Sequence, residues 1–288
     1  MGWMTGTGPL GRQPAGHFDF EPPEPGWAVY LEPSPKRVRV EVGGEVIADS
    51  RRVMMLHESG QQPIYYFPPA DVRDEFLDPS DRHTHCPKKG DASFYTINAG
   101  GQTVEAGAWY YPDPLEHAPE GLQDLIAFYF NRMDRWLEEG EEIGVHPRDP
   151  YHRVDVVASD RLVRVSLGGS VLAQTDRAVA LFESNLPVRW YIPREDVSAS
   201  LEPSDTVTRC PYKGTASYYS VASESDVIWY YEDPLPEVGR IKDLLCFLNE
   251  KVDIELDGER QERPESPWSQ GVKSERPAQN ASPASTRG

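Results

Sequence analysis

Thr84-His85-Cys86-Pro87-Lys88-Lys89-Gly90-Asp91-Ala92-Ser93-Phe94-Tyr95 is matched further along the chain by Thr208-Arg209-Cys210-Pro211-Tyr212-Lys213-Gly214-Thr215-Ala216-Ser217-Tyr218-Tyr219. Eight of these twelve positions are identical. Downstream, Trp109-Tyr110-Tyr111-Pro112-Asp113-Pro114-Leu115 matches Trp229-Tyr230-Tyr231-Glu232-Asp233-Pro234-Leu235 at six of seven. Upstream, Gly43-Gly44, Glu58-Ser59, Tyr66 with Pro68 and Asp71-Val72 recur as Gly168-Gly169, Glu183-Ser184, Tyr191 with Pro193 and Asp196-Val197. The offset falls from 125 to 124 to 120 to 119, the largest step coming at Ala99-Gly100-Gly101-Gln102, a loop signal. Order is kept and the gaps sit in loops. The chain is a tandem duplication.

Within each copy the pattern is mostly strand. Val38, Val40 and Val42 alternate with charged residues, Gly43-Gly44 supplies a two-residue hairpin turn, and the chain returns through Val46-Ile47. Val163, Val165, Leu167 and Gly168-Gly169 repeat this. Short apolar runs follow at 53–56, 64–67, 94–97 and 108–111. Leu122, Leu125, Ile126, Tyr129, Phe130 and Met133 are spaced as one helical stripe, as are Ile241, Leu244, Leu245 and Leu248. Val252, Ile254 and Leu256 then alternate into Asp257-Gly258 like a last strand. The expectation is an α+β, mostly β protein: two homologous small β-rich domains of roll or barrel type, each closed by one C-terminal amphipathic helix. They span residues 26–143 and 150–258, with a linker through Gly144–Pro150. Residues 1–25, rich in Gly and Pro, and residues 259–288, poor in large apolar side chains, read as disordered tails.

Composition bounds the function. The 288 residues carry 29 Lys+Arg against 47 Asp+Glu, a formal net charge of −18. That surface argues against nucleic acid as a partner, because binding it requires basic groups that displace counterions. No run approaches the roughly 18 apolar residues of a membrane span, so no membrane role is expected. Three cysteines with no signal-peptide pattern fit a reducing, cytoplasmic setting. The partner expected is an unknown small molecule, bound by a monomer with pseudo-symmetric repeats.

The Tyr65-Tyr66-Phe67-Pro68 segment, the Thr-x-Cys-Pro-x-Lys-Gly-x-Ala core at Thr84–Ala92, and Trp109-x-Tyr111 with Pro114-Leu115 resemble the bacterial domain-of-unknown-function 427 family. Copy two shows the likeness at Trp190–Pro193, Cys210–Ala216 and Trp229-x-Tyr231. It covers about residues 30–140 and 155–257. The resemblance implies a small β-rich domain in soluble bacterial proteins. Some collections label the family nucleotidyltransferase-like, which makes a transferase using the Cys-Pro-x-Lys-Gly motif the alternative to a binding module. A structural or interaction protein is the third reading.

Cys86 and Cys210 are candidate nucleophiles, their thiolates favoured by Lys89 and Lys213, or small buried hydrophobes ahead of a turn. Glu58 and Glu183 end apolar strands and are candidate general bases only if burial shifts their pKa. Lys89 and Lys213, each before a glycine, suit contact with an anionic ligand or an acidic neighbour. As long charged side chains they are expected to stay exposed and contribute little to folding. Tyr66, Tyr95, Trp109 and Tyr111, with Tyr191, Tyr219, Trp229 and Tyr231, are ligand-pocket walls or core, and the two roles overlap. Alternation places Trp109 and Tyr111 on one face and Tyr110 on the other. His83-x-His85-Cys86 offers three metal-ligand types, but copy two keeps only the cysteine, so no metal and no cofactor are expected.

Overall fold

The computed structural model describes residues 2–20, 27–221, 224–266 and 269. The chain divides into two units at Pro150/Tyr151. In the first, eleven strands run β1 (Val29–Pro33), β2 (Val38–Val42), β3 (Glu45–Ser50), β4 (Met54–Glu58), β5 (Ile64–Phe67), β6 (Leu77–Cys86), β7 (Gly90–Ala99), β8 (Gln102–Pro114), β9 (Ile126–Phe128), β10 (Arg135–Glu138) and β11 (Glu141–Ile143). They form a seven-stranded sheet, β1-β4-β5-β9-β8-β7-β6, and a four-stranded sheet, β11-β10-β2-β3. All strand pairs in both are antiparallel.

The second unit repeats the plan with β12 (Val154–Ala158), β13 (Val163–Leu167), β14 (Ser170–Thr175), β15 (Val179–Glu183), β16 (Arg189–Ile192), β17 (Glu202–Cys210), β18 (Gly214–Val221), β19 (Glu224–Tyr230), β20 (Leu245–Phe247), β21 (Asp253–Leu256) and β22 (Glu259–Arg260). Its sheets are β12-β15-β16-β20-β19-β18-β17 and β14-β13-β21-β22. Both units are thus two antiparallel sheets with open edges.

The turn chemistry explains the connections. Gly43 and Gly44 both take positive φ, 60° and 79°, as a two-residue hairpin turn requires. The Cys86-Pro87-Lys88-Lys89-Gly90 hairpin pairs Cys86 with Gly90, and Lys89 N–H donates to Cys86 O at 3.2 Å. Gly90 sits at φ 99° and Gly214 at φ 102°, where a side chain is strained. A Cβ on Gly90 would also lie 3.2 Å from Asp113 O. Proline, then glycine three residues on, is what this tight loop demands.

Side chains alternate across the large sheet as the tyrosine pattern anticipates. Tyr65, Phe67 and Phe128 pack with Val40 and Trp136 between the two sheets. Leu56, Tyr66, Phe94, Trp109 and Tyr111 form a second core on the opposite face. Tyr110 packs against the first core and Trp109 and Tyr111 belong to the second.

The expected closing helices are not formed. Leu122–Met133 holds a three-residue 3-10 turn, the short strand β9, and another 3-10 turn. Leu125 through Phe130 are six consecutive buried residues, whereas an amphipathic helix exposes one side. They are buried because β9 is central and both faces of its sheet are covered; a short, fully buried strand between turns mimics helical spacing. In the second unit, Ile241 likewise ends a 3-10 turn, and Leu245–Phe247 form β20 with Leu244 and Leu248 flanking it.

Two boundaries also move. Residues 2–20, expected to be disordered, make turns whose backbone bonds the first unit: Gly60 N–H donates to Met4 O and Ser59 Oγ to Leu10 O, each at 2.6 Å. Composition misses such backbone pairing. β22 extends the second repeat past Gly258, because Leu256 and Glu259 pair across an Asp257-Gly258 turn. The tail readings for residues 1, 21–25, 267–268 and 270–288 lie outside the described residues. Among the described residues no helix is long and apolar enough to cross a membrane.

Candidate functional site

β4 sends Leu56 and, one pleat on, Glu58 to the face that carries Tyr66. The Cys-Pro-x-Lys-Gly hairpin brings Lys89 to the same place, where its Nζ donates to Glu58 Oε2. The Glu58 and Lys89 side chains are both buried, 10% and 6% exposed. Glu58 Oε1 accepts a second bond from Trp27 Nε1 at 3.2 Å. The second unit repeats the pair: Lys213 Nζ donates to Glu183 Oε2, and the Glu183 and Lys213 side chains are 6% and 11% exposed. There Oε1 meets His152 Nε2 at 3.0 Å. An ionised carboxylate only accepts, so the imidazole is the donor.

The lysines therefore depart from the expectation of exposure. Each is drawn inward by a partner that sequence alone does not identify, since the acid lies 31 residues away in the first unit and 30 in the second. Burial alone would push the Glu183 carboxyl up; the His152 bond and the Lys213 charge more than offset this and bring it to about 2. Burial would likewise lower the Lys213 ammonium, but the Cys210 sulfur and Glu183 beside it raise it.

The floor of the site is aromatic. Trp109 Nε1 donates to Tyr66 OH at 3.1 Å with the rings edge-to-face, and Trp229 Nε1 meets Tyr191 OH at 3.1 Å in the same geometry. Register explains this contact. Ala127 of β9 lies between Tyr66 and Trp109 and is small enough for them to meet above it. Cys246 takes that place between Tyr191 and Trp229. Burial pushes its thiol up, so this third cysteine is an inert spacer. Tyr111 and Tyr231 complete the floor, their phenols also raised by burial.

Of the residues expected at the site, Glu58, Lys89, Cys86, Tyr66, Trp109 and Tyr111 share one face, as do their counterparts. Tyr95 and Tyr219 do not. They stack on Tyr110 and Tyr230, ring centroids 4.9 and 5.1 Å apart, on the other face. Their neighbours Phe94 and Tyr218 take the inward positions instead, because successive strand residues alternate. Tyr218 OH pairs with Thr208 Oγ1 at 2.8 Å. With Phe94 in place of that tyrosine, Thr84 Oγ1 is buried with no partner among the described residues. His83, His85 and Cys86 do not converge: His83 meets Ser93, His85 meets Asp91, and Cys86 turns into the core.

Trp27 and His152 are the site residues that comparison of identities misses. Their signal is positional: both lie at the common offset of 125, one residue type replaced by another that keeps a ring N–H. Their neighbours change too. Lys88 Nζ sits 5.2 Å from the Trp27 ring centroid, and Tyr212 in its place lies 4.0 Å from the His152 ring.

The family model for the domain of unknown function DUF427 matches residues 30–139 and 155–258. The chain belongs to the DUF427 family. It holds two DUF427 domains in tandem, matching the two sheet-rich units. No curated protein matches the chain.

Proposed function

We propose that each DUF427 repeat is a small-molecule-binding module, its ligand seated on the Tyr–Trp floor beside the Glu–Lys pair. The observation that carries this reading is the burial of that pair at the same place in both repeats. Desolvating two charges costs free energy that their mutual attraction does not reliably offset, so a buried pair is a poor device for stability. Its use is chemical: a fixed cation and a carboxylate, in apolar surroundings where each acts strongly on a polar ligand. The aromatic walls suit a planar ligand.

Thermal-shift screening of the full chain against metabolites tests this. A ligand that binds only the folded state raises the melting temperature. The shift is expected to vanish in a variant carrying Glu58→Leu, Lys89→Met, Glu183→Leu and Lys213→Met together. A ligand that shifts this variant as much as the parent would remove the pair from the site.

A further inference from the structure

An edge strand offers a row of unpaired backbone groups to any further strand, and proteins blunt such edges with proline, charge, bulges or a covering segment. Here β6 and β17 each carry a proline, Pro79 and Pro203, and a register shift. β3 and β14 are covered at Val72 and Val197. β11 is acidic through Glu141 and Glu142, and β22 is two residues long. β1 ends in Pro33 and carries Glu32, whose Oε1 lies 2.9 Å from His57 Nε2. β12 differs. Its Val-Asp-Val-Val-Ala run has no proline, no register shift and no strand beyond it among the described residues.

Register shows what β12 leaves open. Ser184 N–H donates to Arg153 O and Ser159 N–H to Ala178 O, so the odd-numbered residues of β12 bond β15. Val154, Val156 and Ala158 turn their N–H and C=O groups outward, where they meet no hydrogen-bond partner among the described residues. Backbone groups left unpaired in this way are tolerated only in contact with water. In β1 the outward residues are Val29, Leu31 and Pro33, and Pro33 has no N–H to give. At the common offset of 125, Ala158 replaces Pro33, Val157 replaces Glu32 and Phe182 replaces His57. The second repeat thus gains the donor and turns apolar at the same edge, with Val157 48% and Phe182 46% exposed.

We propose that β12 is a dimer interface, pairing antiparallel with β12 of a second copy of the chain. Val156 of one copy faces Val156 of the other, and Val154 faces Ala158 in both directions, so every outward donor meets an outward acceptor. This match to itself favours a second copy over any other strand, because a two-fold axis at Val156 uses the same surface twice. β1 makes a poorer mate, since Pro33 forfeits a bond. On the face that carries Phe182, the two Val157 side chains become diagonal neighbours and leave water. Asp155 shares that face but is already paired with Arg153 at 2.9 Å, so no bare carboxylate reaches the axis.

Sedimentation equilibrium of the full chain, over about 1–100 μM, tests the proposal. The average mass is expected to rise from one chain toward two across this range, while amide exchange at Val156 slows with concentration. Ala158→Pro and Val157→Glu each install the residue that the first repeat holds at the same place. Ala158→Pro should weaken dimerisation roughly ten-fold or more, the value of the two donors lost across the axis. Val157→Glu should weaken it too, by bringing an unpaired charge to the axis. A parent that stays a single chain throughout would overturn the proposal. So would a dimer that both variants keep, which would place the interface elsewhere, or Val156 exchange that ignores concentration. Circular dichroism checks the folding of each variant; should one not fold, the other and the Val156 amide of the parent still decide.

Discussion

Trp27 and His152 stand at equivalent positions in the two repeats, and each gives a ring N–H to Oε1 of its glutamate while a lysine takes Oε2. The donor geometry is kept while the ring differs. Trp27 is half-exposed, whereas the His152 side chain is fully buried. The two sites thus present the same carboxylate behind different walls, and they are expected to differ in ligand preference.

The depressed Glu183 carboxyl sets a pH window. Its folded pKa of about 2 lies below its ordinary value of 4.5, so its ionised form stabilises the fold above about pH 4.5. That contribution fades as pH falls from 4.5 toward 2. Carbon-13 NMR titration of the side-chain carboxyl should place its midpoint near 2, and Glu183→Gln should flatten the stability profile between these limits. A Glu183 midpoint near 4.5 would contradict the pairing.

Removing Trp109 from the buried floor should unfold more than removing the half-exposed Trp27. Trp109→Ala leaves a large core cavity and strips a donor from the buried Tyr66 hydroxyl, and is expected to cost roughly 3–5 kcal/mol. Trp27→Ala loses one hydrogen bond at a half-exposed ring, about 1 kcal/mol. Guanidinium titrations of the two variants compare them, and similar losses would mean that the Trp109–Tyr66 contact is not the core assigned to it.

Cysteine alkylation should be ordered by environment. Cys86 and Cys246 are buried, while Cys210 is partly exposed beside Lys213. Under native conditions Cys210 is expected to react first with iodoacetamide, followed by peptide mass spectrometry. Cys246→Ala should fold normally, since Ala127 fills the same place in the first repeat. Faster labelling at Cys246 than at Cys210 would refute the spacer role.

Gly90→Ala and Gly214→Ala each force a side chain onto a left-handed residue, with the new Cβ 3.2 and 3.3 Å from the Asp113 and Asp233 carbonyls. Each is expected to cost about 1–3 kcal/mol and to displace the preceding lysine. Melts no different from the parent would show that the hairpin tolerates other turns.

What the sequence made legible was whatever rests on local alternation. Val38-x-Val40-x-Val42 with Gly43-Gly44 specifies a hairpin by period and turn chemistry alone, and the Trp109/Tyr111 against Tyr110 division follows from the pleat. The segment around β9 misled because apolar spacing cannot distinguish a helix from a buried strand between two turns. The Glu58–Lys89 pair was hidden for another reason. Each residue was visible, but their meeting depends on a β4 end and a β6–β7 hairpin brought together by three-dimensional packing. Trp27 and His152 escaped because a shared ring N–H is a chemical likeness, not an identity.

If the buried pair serves a ligand and not the fold, replacing both of its members together should cost the fold nothing. The first repeat decides this, because there the partner on Glu58 Oε1 is the half-exposed Trp27. Guanidinium titration of the full chain would compare Lys89→Met, Glu58→Leu and the double variant. Each single change strands a buried charge and is expected to cost about 3–5 kcal/mol, while the double variant, apolar throughout, should be as stable as the parent or more so. A double variant that loses as much as Lys89→Met alone would make the pair a structural strut.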